Sequence, residues 1–150
     1  MSWDLLSIIG TIAFAISGAL VAMEEEYDLF GIYLLGYVTA FGGGAVRNIL
    51  LGIPLAQLWH QDQLFLIAFI SIGLTCLFHR SLLPHWNKWG NFFDAIGLSA
   101  FAIQGALKAV EMDAPIVAVT FAAILTGSGG GIVRDVLAGR KPSLLQSEIY

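Results

Sequence analysis

The sequence predicts an all-α, polytopic membrane protein built from inverted three-helix repeats, with glycine-kinked second and fifth helices. Three observations carry this. Apolar residues make up 57% of the 150 positions and charged residues 12%, where an ordinary soluble domain has roughly a quarter charged. The apolar residues fall in five long blocks, near the ~20 residues that span hydrocarbon as a helix. A glycine-triplet motif occurs twice, as TAFGGGAVRNILLG from Thr39 and as TGSGGGIVRDVLAG from Thr126.

The five blocks give the elements in order: Leu5 to Met23, Leu29 to Leu51, Leu64 to Phe78, Phe92 to Val110 and Ala114 to Ala138. The third ends at His79 and Arg80, and Ser81 to Leu83 can extend it. The first block is read as a retained span and not a secretory signal, because Asp4 stands where a basic n-region belongs and the helix is matched later in the chain. Trp3, Trp59, Trp86 and Trp89 flank the spans, as an aromatic belt against membrane lipid requires.

The two motifs lie 87 positions apart, and the same offset pairs Arg47 with Arg134, Gly52 with Gly139 and Glu24 with Glu111. It also aligns GTIAFAISGAL from Gly10 with GLSAFAIQGAL from Gly97, identical at eight of eleven positions. Chance similarity between apolar helices matches Ala, Leu and Ile, but does not place glycine, arginine and glutamate in one register. Residues 1–83 form the first three-helix repeat and residues 84–150 the second, which is incomplete over this sequence because sixth and seventh helices are absent. Three spans is an odd number, so the second repeat enters the membrane from the opposite side. Arg80, Lys88, Arg140 and Lys141 share one side, and Lys108, with Arg47 near the boundary, the other. The positive-inside rule then puts the N-terminus outside a cell (inner) membrane.

Three adjacent glycines weaken a helix by a few kcal/mol, at about 1 kcal/mol each relative to alanine. For the isolated Gly10, Gly18 (beside Ser17), Gly97 and Gly105, close helix packing offsets that cost. For Gly42, Gly43 and Gly44, and for Gly129, Gly130 and Gly131, the reading is an unwound stretch facing a cavity, with a kink buried in protein as the alternative. Arg47 and Arg134 follow each triplet by about one turn, beside Asn48 and Asp135. An arginine within a span faces the bundle interior or water, although each also lies close enough to its helix end to snorkel. The carbonyls of a broken helix attract a cation transiently, while the N–H groups of the second half attract an anion. A bare cation and a small zwitterion therefore both remain open. Thr39, Thr126 and Ser128 add hydroxyls, and Gln104 is a further polar candidate. Asp94 is either another or a plain helix cap.

Other classes drop out. The third glycine of a dinucleotide fingerprint is replaced by Arg47 or Arg134, and no GK followed by Ser or Thr is present for a phosphate loop. No Ser-His-Asp or paired-carboxylate arrangement suggests an enzyme. The lone Cys76 and the scattered His60, His79 and His85 give no structural metal site, no cofactor is implied, and no basic face invites nucleic acid.

With its GGGxxR[ND]xLxG segments and GxxAFAxxGAL helices, the chain resembles the TRIC family of trimeric intracellular cation channels, in particular the prokaryotic branch, which overlaps a bacterial family of glycine transporters. The resemblance covers essentially all of the sequence. It implies seven helices, a homotrimer and one potassium-permeable pore per protomer, lined by the kinked second and fifth helices. Carried over, the lining is Gly42 to Gly44 and Gly129 to Gly131, with Arg47, Asn48, Arg134 and Asp135 after them. A small-amino-acid (glycine) transporter is the alternative.

Overall fold

The computed structural model describes residues 2–78 and 86–142, with Leu145. The described residues form five α-helices: α1 (Ser2–Glu24), α2 (Leu29–Leu51), α3 (Asp62–Leu77), α4 (Trp86–Glu111) and α5 (Ile116–Leu137). A 3₁₀ turn at Leu55–His60 joins α2 to α3. All but α3 are long and apolar enough to cross a membrane. At 16 residues, α3 reaches ~24 Å, short of the ~30 Å hydrocarbon core; Ser81 to Leu83, its expected extension, lie outside the described residues.

Local chemistry fixes the helix ends. Asp28 caps α2 by accepting a 2.8 Å bond from the Gly31 N–H, and Gly52, left-handed at φ 72°, closes it by donating to Asn48 and Ile49. Gly139 is left-handed in the same way just after α5, at φ 76°. Glu26 and Asp113, in the turns before α2 and α5, are the two non-glycine residues with positive φ among those described. All four positive-φ positions therefore pair at the 87-residue offset, so the repeat extends from sequence into backbone conformation.

Helix α1 is the most enclosed span, burying Ala13, Phe14, Ala15, Ala19 and Leu20. It packs against α2, α3 and α4, while α2 and α5 pack along one another. Small residues allow the backbones to approach closely, which dispersion rewards in a bilayer. Phe30, Ile49, Leu66, Phe121 and Ile124 on the outside are more than half exposed, a surface that suits lipid and would be a liability in water.

Contacts across the core exchange under the repeat. Gly10 lies beneath the Phe101 ring and Gly97 beneath the Phe14 ring, where a Cβ would come within 2.9 Å and 2.5 Å. Gly18 meets Thr39 Oγ1 and the Leu35 carbonyl, and Gly105 meets Thr126 Oγ1 and the Ala122 carbonyl. The pairs run antiparallel, as inverted repeats require.

Candidate functional site: two arginine cages across a glycine crossing

The two glycine triplets meet where α2 crosses α5. A Cβ on Gly43 would overlap the Thr126 carbonyl oxygen, and one on Gly130 would overlap the Thr39 carbonyl oxygen. Gly42 and Gly129 lie against the Cα atoms of Gly130 and Gly43. Gly44 and Gly131 do not touch the facing helix: their nearest neighbours are Arg47 and Arg134, at 3.7 Å and 3.8 Å.

The structure corrects the expected unwinding. Both triplets are α-helical throughout, so neither helix is unwound there. The glycine cost is offset here by backbone-to-backbone approach. A seam this close admits no side chain at Gly43 or Gly130.

Thr39 and Thr126 are fully buried at the crossing. Thr39 Oγ1 donates to the Leu35 carbonyl at 2.6 Å, whereas Thr126 Oγ1 has no partner among the described residues. Ser128 donates to the Ile124 carbonyl at 2.6 Å.

On either side of the crossing, an arginine is held in a polar cage. Arg47 donates through Nε and Nη2 to Asn48 Oδ1, at 3.1 Å and 2.9 Å, and through Nη1 to Gln104 Oε1 at 3.3 Å. Gln104 in turn donates to Ser7 Oγ. In the second cage Arg134 Nε donates to Asp135 Oδ1 at 2.8 Å, and Nη1 donates to Ser17 Oγ at 2.6 Å and to Asp94 Oδ1 at 2.5 Å. The Ser17 hydroxyl itself donates to Asp94 Oδ1 at 2.5 Å. Arg47 is 8% and Arg134 3% exposed, so both point into the bundle and the snorkelling alternative is set aside. Asp94 is not a cap: α4 begins at Trp86, eight residues earlier, which puts the carboxylate inside the helix as Arg134's ion-pair partner.

Arg47, Asn48, Gln104, Arg134, Asp135 and Asp94, the polar candidates of the sequence, come together in the structure as two groups of three. Ser7 joins the first group and Ser17, in sequence a packing residue, joins the second. The repeat offset itself was the available signal, because it pairs Ser17 with Gln104 and Ser7 with Asp94.

Each cage borders a small cavity. One, of about 20 Å³, is lined by Ser7, Thr11, Gly44, Arg47, Gln61 and Gln104 among others. The other, of about 10 Å³, is lined by Phe14, Asp94, Ser128, Gly131 and Asp135 among others. Each is near the size of one water molecule, and they lie on opposite sides of the α2–α5 crossing.

The face that holds the Arg134 cage is also tied at its rim. Arg140 bonds Glu24 at 2.7 Å and Glu25 at 2.8 Å, and Tyr27 donates to the Leu137 carbonyl at 3.2 Å. On the other face Ile53 stands at the position of Arg140.

A protein family described as Glycine transporter matches residues 4–80 and 91–150. The UPF0126 membrane protein YvgT of Bacillus subtilis (strain 168) is 66% identical over all 150 residues, which span 74% of its length. The UPF0126 inner membrane protein YadS of Escherichia coli (strain K12) is 42% identical over 97% of this chain and 70% of its own. Among solved structures, a prokaryotic TRIC channel in 0.5 M KCl superposes with a TM-score of 0.92 at 36% identity, over 99% of this chain and 76% of that one. The TRIC trimeric intracellular cation channel orthologue from Rhodobacter sphaeroides gives 0.90 at 34% identity with the same coverage.

Proposed function

The chain belongs to the glycine transporter family of membrane proteins, whose solved relatives include prokaryotic TRIC channels, and we propose that it is a cation channel conducting potassium along the α2–α5 seam. The observation that carries this reading is the pair of arginine cages facing each other across the Gly43–Gly130 crossing. Buried polar groups at membrane depth mark ion or substrate pathways, and these occupy both sides of one constriction. The closely packed crossing is the closed gate, and separating α2 from α5 joins the two cavities through Thr39, Thr126 and Ser128.

The protomer is built of two inverted repeats, residues 1–83 and 84–150, with one pore in each subunit, and assembles as a homotrimer, as the word trimeric in the TRIC relatives' description suggests. Its N-terminus lies outside, because Lys88, Arg140 and Lys141 share the face with the α1–α2 turn while Lys108 is at the other.

The family description supports a second reading, a glycine transporter. In the closed crossing each cavity has room for a bare ion and not for an amino acid. Potassium efflux and radiolabelled glycine uptake, measured on the same proteoliposomes, separate the two. The channel reading expects efflux that rises with the gradient and no glycine accumulation; saturable, accumulating glycine uptake without potassium efflux would replace it.

A further inference from the structure

The two cages occupy equivalent positions in the two repeats, yet their charges differ. The offset pairs Arg47 with Arg134, Asn48 with Asp135, Gln104 with Ser17 and Ser7 with Asp94. At the first cage the guanidinium has only neutral partners among the described residues: Asn48 and Gln104, with Ser7 behind them. At the second, one guanidinium faces two carboxylates, Asp94 and Asp135. Among these described side chains the repeat preserves the arginine and the geometry of its neighbour while reversing the sign of the surplus charge.

Resting on the channel reading above, we propose that Asp94 and Asp135 are rectification-determining residues: they make the Arg134 side the cation-concentrating mouth, while the uncompensated charge of Arg47 depletes cations at the other. A charge in a low-dielectric cleft raises or lowers the local concentration of mobile ions, and charged side chains lining a pore set its selectivity in the same way. Entry from the carboxylate side is therefore faster than entry from the Arg47 side at equal bulk concentration. The difference lies in residues that the repeat makes interchangeable, so the chain supplies its own control. Asn48 already accepts from Arg47 through Oδ1 as Asp135 does from Arg134, so an Asn at 135 offers Arg134 the same acceptor without the charge.

Patches excised from cells expressing the chain, where insertion has one direction, read the current ratio at equal and opposite voltages in symmetric potassium chloride. The wild type is expected to rectify by about twofold or more. Asp135→Asn lowers the ratio, Asn48→Asp lowers it from the other side without touching the Arg134 cage, and the double exchange brings it to about one. Wild-type current without rectification, or a ratio indifferent to Asn48→Asp and to Asp135→Asn, overturns this inference and leaves the channel reading standing. A wild type that passes no current overturns both.

Discussion

Gly43 lies so close to the carbonyl oxygen of Thr126 that no side chain fits between α2 and α5, and Gly130 holds the same relation to Thr39. Backbone meets backbone there, so neither partner can swing aside. One turn of sequence contains both extremes, because a Cβ on Gly44 would have nothing nearer than 3.7 Å.

Gly43→Ala and Gly130→Ala are each expected to cost about 1–3 kcal/mol through overpacking. Gly44→Ala and Gly131→Ala should be neutral or gain up to about 1 kcal/mol from helix propensity. Thermal unfolding of the four purified variants in detergent checks this. Equal losses at all four positions would show that the triplet acts through helix flexibility and not through contact.

Arg134 is paired with two carboxylates, each less than a tenth exposed. Replacing it with Met removes the cation that both share, at a cost of about 3–5 kcal/mol. Arg47→Met strands only neutral hydrogen-bonding groups and should cost about 1–3 kcal/mol. Adding Asp94→Asn and Asp135→Asn to Arg134→Met should restore much of the lost stability. If the triple variant is no more stable than Arg134→Met alone, the carboxylates are not what makes the arginine indispensable.

The two threonines at the crossing differ in one bond. Thr39→Val loses the Leu35 hydrogen bond and is expected to cost about 1 kcal/mol. Thr126→Val removes a buried hydroxyl without a partner among the described residues, and is expected to be neutral or stabilising. A destabilised Thr126→Val would mean that water or an ion serves this hydroxyl in solution, and a matched loss of current would place that ion on the path.

Much of the fold was legible in the sequence because its signals were strong and local. The bounds of α2 agree residue for residue with the apolar run from Leu29 to Leu51, since Asp28 and Gly52 are unambiguous start and stop signals. Helices α1 and α4 begin earlier than their apolar runs, because Ser2, Asp4 and Lys88 continue a helix where hydropathy no longer marks it. That shift is also why Asp94 looked like a cap. The glycine triplets were read as unwound because glycine serves two opposite ends, freeing a backbone and letting two backbones touch, and a single chain of letters does not distinguish them. The cages were half visible: the arginines and their neighbours stood out as costly residues, while Ser7 and Ser17 pass for ordinary small residues until the repeat offset is applied to them.

Ser128 offers the most direct test of the proposed path, because it lines the cavity beside Asp94 and Asp135 and is 6% exposed. In a Ser128→Cys, Cys76→Ala background, single-channel potassium current is recorded in a planar bilayer before and after a charged, water-soluble methanethiosulfonate reagent is added. A path along the α2–α5 seam predicts current before modification and its loss afterwards, while the Cys76→Ala parent is unaffected. Undiminished current with the introduced thiol fully modified would put the conduction path elsewhere.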